Sequence, residues 1–511
     1  MTTPADLVLT NATVHTLADP DETYEAVAVR DGRIVRVDAA YEVDFLVGAA
    51  TTVLDLDGGV VLPGFVDAHT HLPMVGRSLV HADLSAAAAP ADAVDLLAEN
   101  ARDDEGWILG YGYDESTWAE ARYLTREDLD AVSEERPVAA FREDLHTASL
   151  NGVALERLAD DLPDGDVQRE GGVATGVVVE DAATAVAAAV EPDESGTRAL
   201  VTAARDRAHE LGVTGVHDMV RNSAAPAVYR DLDAADALDL RVRINYWSDH
   251  LDSLVELGLR TNAGSDMVRV GAVKSFTDGS FGARTAKLSE PYREGDGRGQ
   301  WVVAPEELDA LVARADGAGL QFTAHAIGDA AIEAVLDAYA ECEAPGERRH
   351  RVEHVELLRE DLVERFADLD VVASVQPNFL KWAREGGLYD DRLGPERARA
   401  TNRYRDLLDA GVPLAFGSDC MPMDPLFGVE QVVTAPDERQ RLTVTEALRA
   451  YTAGAAYAGF DEDELGTVEV GKRADFAVLA ESPWAVAPEE IADIDVTHTV
   501  VDGEVVYRRN D

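Results

Sequence analysis

The stretch VLPGFVDAHTHLP, residues 61 to 73, runs apolar and then ends in Asp67, His69 and His71. The whole chain holds only 12 histidines, so two of them this close at the end of a buried-looking segment call for a reason. On an extended backbone, residues two apart point the same way, and both imidazoles can reach one metal ion. His325 and His354 each end a later β-branched run, in TAHA and VEHV, and Asp419 ends another in FGSD. Taken singly, each has a plainer reading. A strand-end histidine can be held by an ordinary hydrogen bond, and an aspartate can cap a helix. Taken together they are the donor set of a divalent metal. Lys274, in GAVKSFTDG, is the odd member. Burial lowers a lysine's pKa, and two readings stay open for it. It pairs with an acid such as Asp278, or its neutral amine has taken up CO2 as a carbamate able to bridge two metals.

These residues need a frame that brings strand ends together. Strand candidates fall at 61–66, 213–217, 242–246, 268–274, 321–325, 350–355, 371–375 and 413–417, separated by longer Ala/Leu/Glu-rich helical patterns. Strands alternating with helices call for a parallel sheet, and eight of them close a (β/α)8 barrel whose chemistry sits at the C-terminal rim. The gap from His71 to Gly212 is too long for one connection. It holds helical stretches at 92–103, 126–135 and 198–210 and strand-like PVAAFR and GVVVED, so a folded insertion is predicted there, and PVAAFR is assigned to it rather than to a ninth barrel strand. Both chain ends read as hairpins, with Asp-Gly pairs at 31–32 and 502–503 between alternating runs. The expected fold class is α/β. Residues 1–58 and 464–511 would build one small β-sandwich-like domain, and 59–463 the barrel, with 75–205 inserted over its mouth.

Composition narrows the partners. Acidic residues number 98 against 45 basic ones, a net charge of −53. Such a surface repels nucleic acid and anionic membranes, which leaves a small molecule as the expected partner. It resembles the surface of proteins kept soluble in concentrated salt, where charge repulsion is screened over a few ångströms. Two cysteines, Cys342 and Cys420, cannot form a disulfide framework or a cysteine zinc cluster. The first residues lack a basic region followed by an apolar core, and no apolar run approaches the roughly 20 residues of a membrane span. A cytoplasmic protein is expected, with a homodimer as the default assembly.

PGFVDAHTH, KSFTDGSFGARTA, TAHAIGDAA, VEHVEL and FGSDCMPMDP, with GTVEVGKRADFAVL and VDGEVVY near the end, resemble the amidohydrolase superfamily, in particular its amidohydrolase-3 or YtcJ-like branch. The likeness runs along nearly the whole chain. It implies His69, His71, His325 and His354 as metal ligands, Asp419 as ligand or proton-shuttling base, and Lys274 at the position that many relatives carboxylate. One or two divalent ions, zinc by preference, are implied as cofactor. The chain departs from the family at Asp144-Leu145-His146, where relatives often carry Asp-Gly-His, which puts a glycine-dependent turn in doubt.

His146, Trp107, Tyr113 and Trp118 in the insertion, and Arg284 after Lys274, are candidate substrate contacts. Each also has a packing or ion-pair reading. The chemistry implied is hydrolysis of a carbon–nitrogen bond outside the peptide backbone, in an N-acyl or N-formyl amine or a cyclic amide, by metal-activated hydroxide. Asp419, His325 and His354 would serve the proton and the oxyanion. A deaminase acting on a heterocycle is the alternative, although TAHAIGDAA offers Asp329 rather than a clear HxxE. A non-catalytic binding protein would show lost ligands, and none is lost. Neither a GxSxG nucleophile elbow nor a P-loop occurs.

Overall fold

The computed structural model describes residues 3–101, 106–142 and 146–509. Two compact units are present: Met1–His71 with Arg205–Asp511, and Leu72–Ala204.

In the first unit, eight parallel strands form one sheet in chain order. They are Phe65–Thr70, Val213–Val220, Arg241–Trp247, Val268–Phe276, Gln321–Ala326, Arg351–His354, Val372–Val375 and Leu414–Phe416. Most of their residues are buried on both faces, because helices such as Pro305–Gly317, Asp329–Ala340 and Glu360–Leu369 cover the outside. Such strands read as continuous apolar runs rather than alternation. This is the (β/α)8 barrel. The first and eighth strands meet through side chain and backbone. Asp67 accepts the Ser418 N–H at 2.9 Å and the Ser418 hydroxyl at 2.5 Å, and the Asp419 N–H donates to the His69 carbonyl at 2.7 Å.

The first strand corrects the sequence reading. Val60–Pro63 does not belong to the barrel but pairs with Phe476–Leu479 and Thr13–His15. The barrel strand begins only at Phe65, which places His69 inside it and His71 just beyond. Gly64 lets the chain leave one sheet and enter the other. A Cβ at this position would sit 2.2 Å from Thr214 Oγ1 and 2.4 Å from its Cγ2, and Thr214 is buried. Gly64→Ala should therefore cost about 1–3 kcal/mol, as overpacking at a fixed backbone does. Urea unfolding at constant salt measures it, and a loss below about 0.5 kcal/mol would show that the crossing tolerates a methyl group.

The six-stranded sheet that holds Val60–Pro63 also contains Val496–Val501 and Glu504–Arg508, so both ends of the chain contribute to it. A four-stranded sheet from residues 7–55 lies against it across a shared core of Leu9, Val29, Val61, Phe476 and Val500. Both Asp-Gly pairs are hairpin turns with positive φ at each residue: 51° and 71° at Asp31-Gly32, 50° and 82° at Asp502-Gly503. Those are the angles that match the twist of the flanking strands.

The second unit carries its own six-stranded sheet, ordered from Val167–Glu170 through Val173–Val179, Thr147–Leu150, Val138–Arg142 and Ile108–Tyr113 to Ala82–Asp83. PVAAFR lies here, outside the barrel.

Candidate metal centre

His69 is buried in the first strand, and its Nδ1–H donates to the Glu353 carboxylate at 2.6 Å. His71 turns its Nδ1–H to the Met219 carbonyl at 3.0 Å. Both bonds occupy Nδ1, so each ring turns its Nε2 toward Asp419. The two Nε2 atoms lie 3.7 and 3.3 Å from Asp419 Oδ1, and one donor atom from each of the three residues falls within 4.8 Å of the others. Two imidazoles and a carboxylate at this spacing, with each ring oriented by a second contact, fit a divalent ion.

The other two histidines continue the cluster. The rings of His69 and His354 are 4.9 Å apart, and those of His354 and His325 are 4.4 Å apart. His325 Nε2–H donates to the Gly279 carbonyl at 3.1 Å, which leaves its Nδ1 as the ligand atom. His354 holds a φ of 74°, a left-handed conformation that costs a non-glycine residue energy. Its Nδ1 is buried without a hydrogen-bond partner among the described residues, and so is Lys274 Nζ. The unpartnered His354 nitrogen suits an ion as its partner.

Charge follows from burial. Desolvation and then Lys274 push the His325 pKa down to about 3, and burial likewise holds His69 and His354 low, so these rings are neutral and able to ligate. Burial opposes charge on His71, but its bond to Asp419 outweighs that and raises its pKa. Burial lowers Lys274 to about 8, against the pull of Glu353 and Asp419. Asp419 would be raised by burial, yet His71, His69 and Lys274 together hold it below the usual carboxylate range.

Beneath the cluster lies a network that the sequence reading missed. Glu353 accepts from His69, from the Thr323 hydroxyl and from Arg351 Nε at 2.9 Å. Arg351, fully buried, also reaches His217 Nδ1 at 2.8 Å, the Ala68 carbonyl at 2.6 Å and Ser374 at 2.8 Å. Asp278 is not a partner for Lys274. It collects backbone N–H groups of Lys287, Ile327 and Gly328 at 2.7, 3.1 and 2.9 Å, tying the loop after the fourth strand to the end of the fifth. It stands 3.5 Å from His325 Nε2. Asp329 is engaged by Ser289 and Arg359.

Above the ligands is a pocket of about 310 Å³ walled by Phe276, Phe281, Phe379, Trp382 and Tyr389, with Glu356 as its further carboxyl. Of the candidate substrate contacts, four belong to the second unit and Arg284 to the first. Tyr113 and Trp118 are buried in the core of the second unit. The Tyr113 hydroxyl meets Ser149 at 3.0 Å, and the Trp118 Nε1–H donates to the Ala87 carbonyl at 2.8 Å. Trp107 packs against that unit's other cluster under Arg157. His146 is exposed and paired with Glu180, while Asp144 and Leu145 fall outside the described residues. Arg284 pairs with Glu294 at the surface. Tyr113, Trp118 and Trp107 thus serve the cores of their own unit.

A second group, Asp316, Cys342 and His350, also brings three ligand-type atoms within 4.8 Å. There, however, His350 Nδ1 accepts the Phe322 N–H at 3.0 Å. The proton therefore sits on Nε2, facing Asp316, where a metal would need a lone pair.

A barrel whose rim gathers four histidines, a lysine and an aspartate defines a metal-dependent hydrolase. The model of the amidohydrolase family matches residues 52–507, and the chain belongs to that family. It is 30% identical to YtcJ of Bacillus subtilis (strain 168), named as an amidohydrolase, over 97% of this chain and 98% of that one. It is 28% identical to the N-substituted formamide deformylase of Arthrobacter pascens, over 100% and 99% of the two chains. A metal-dependent hydrolase from Pyrococcus furiosus superposes with a TM-score of 0.82 at 30% identity, covering 93% of this chain and 99% of that one. Among the described residues, no helix is long and apolar enough to cross a membrane.

Proposed function

We propose that the protein hydrolyses a carbon–nitrogen bond outside the peptide backbone, in an N-formyl or N-acyl amine or a cyclic amide, with N-substituted formamides foremost. The observation that carries this reading is the convergence of His69, His71, His325, His354, Lys274 and Asp419 at the base of one apolar pocket. The likeness to a formamide deformylase along the whole chain supports it. His69 and His71 would hold one ion through Nε2, and His325 and His354 a second ion or the far side of the first. A histidine-rich set with carboxylate suits zinc. When bound, the metal supplies Lewis-acid polarisation of the scissile carbonyl and an activated water.

The chain supplies the rest. Asp419, beside both Nε2 atoms, takes the proton of the attacking water and passes it to the leaving nitrogen, which departs as an amine. The aromatic walls exclude bulk water and receive the substituent on that nitrogen. Lys274, buried and unpartnered, gains CO2 on Nζ with loss of one proton, and the resulting carbamate would supply an anionic oxygen to the cluster. Nothing in the geometry favours a deaminase, since Asp329 is held by Ser289 and Arg359.

Elemental analysis of protein purified in high salt without added metal is expected to find one or two zinc per chain. Gentle intact-mass measurement should find an adduct of about 44 Da with two ions and none with one. A panel of formamides, acetamides, lactams and esters then reads the activity. Absence of metal, with no hydrolysis after zinc, manganese or cobalt is restored, would sink the reading.

A further inference from the structure

Three of the five aromatic residues that wall the pocket, Phe276, Phe281 and Phe379, offer it only ring surface. Its polar side chains outside the metal cluster include the exposed Ser280 and the buried Glu356, which lies two residues beyond His354 and is 4% exposed. The Tyr389 hydroxyl, having a single proton, donates it to Glu356 Oε2. The backbone here is pinned, because the Asn402 N–H donates to the Glu356 carbonyl at 2.7 Å. Tyr389 is itself buried, with its ring against Phe281 at 5.3 Å. The tyrosine thus holds one carboxyl oxygen in place, and among the described residues no side chain or backbone group donates to the other. No arginine or lysine is bonded to this carboxyl there. A carboxyl oxygen inside an apolar pocket is costly to leave without a hydrogen bond unless something that enters the pocket supplies one.

We infer that Glu356 Oε1 is a specificity point that hydrogen-bonds to the substrate, so the preferred substrates carry a hydroxyl on an apolar, ring-sized substituent of the scissile nitrogen. This rests on the proposed hydrolysis of N-acyl amines and adds the substrate class. Phe276, Phe281, Phe379 and Trp382 take the ring, and Glu356, oriented by Tyr389, reads its polar substituent. The mechanism above does not use Glu356, and a purely packing role would require no carboxyl here.

The test uses two probes that differ by one hydroxyl, the N-formyl derivatives of 2-phenylethylamine and of 4-(2-aminoethyl)phenol. With zinc-loaded protein, kcat/KM is expected to favour the phenol by about tenfold, the worth of one buried hydrogen bond. Glu356→Leu should bring that ratio close to one. A ratio near one in the wild type, or a tenfold ratio that persists in Glu356→Leu, overturns the inference. Because the variant could fail to fold, calorimetry with the chelator-treated wild type provides a second measurement. The phenol should bind about tenfold more tightly than the unsubstituted ring, and equal affinities overturn the inference without any variant. Binding that favours the phenol while neither probe is hydrolysed would uphold the specificity point and overturn the hydrolase reading alone.

Discussion

Asp419→Asn should lower kcat by roughly 10²- to 10⁴-fold, the usual contribution of a positioned acid–base group, with KM little changed. Asparagine is the informative substitution because of the backbone. Asp419 and Cys420 hold φ values of 50° and 55°, a left-handed pair that Asn accepts nearly as readily as Asp. The Asp419 N–H bond to the His69 carbonyl would survive, and with it this link between the first and eighth strands. What is lost is the ability to carry a proton. The wild-type carboxylate is well suited to that role. Burial raises its pKa, but His71, His69 and Lys274 outweigh this and keep it ionised at neutral pH. Stopped-flow or steady-state hydrolysis of a responsive formamide, with metal content measured on the same sample, checks the prediction. Were excess zinc to restore full activity to the variant, Asp419 would be a ligand and no proton carrier.

How far the sequence led depends on what each residue type could signal. Histidines are scarce in this chain, so His69, His71, His325 and His354 stood out, and the structure gathers all four in one cluster. The strands that carry them were legible as continuous apolar runs because both faces are covered. The start of the first strand was not, since VVLPGFVDAH is one apolar stretch that serves two sheets, and only contact with Thr214 shows that the division falls at Gly64. Glu353 was invisible for the opposite reason to the histidines. Among 98 acids, one more carries no signal, although its place beside His354 in VEHVEL is a clue in hindsight. Trp107, Tyr113 and Trp118 pack in the cores of the inserted unit, a role that an aromatic cluster in sequence does not distinguish from that of a substrate wall. Lys274 was read as buried, and it is. Its partner could not be read, because Asp278, the nearest acid in the chain, uses its oxygens on three backbone N–H groups instead.

Glu353→Gln should weaken the first metal site by roughly 10- to 100-fold, the range for loss of a group that orients a ligating histidine. In the wild type the carboxylate accepts from His69 Nδ1 at 2.6 Å and so holds the proton away from the Nε2 that faces Asp419. A glutamine can turn its amide NH2 toward the ring, which favours the tautomer with Nε2 protonated and no lone pair for the ion. Gln is preferred to Ala because Arg351 beneath it is fully buried, and an emptied position would strand that charge at a cost of about 3–5 kcal/mol. Competition for zinc against a calibrated chelator gives the affinity. A dissociation constant unchanged within twofold would show that Glu353 only neutralises Arg351. The same substitution has a pH signature of fixed sign. Burial raises the Glu353 pKa, but Arg351, His69 and Lys274 more than reverse this and hold it well below the ordinary range. A carboxylate depressed on folding adds stability above its unfolded pKa, about 4.3, and that stability is lost as pH falls toward the folded value. Wild-type Tm should therefore fall more steeply than that of Glu353→Gln below about pH 4.5, when both are measured metal-free at constant salt. Parallel curves would mean that Glu353 titrates alike in the folded and unfolded chain, and that Arg351 and His69 do not hold its charge in the native barrel.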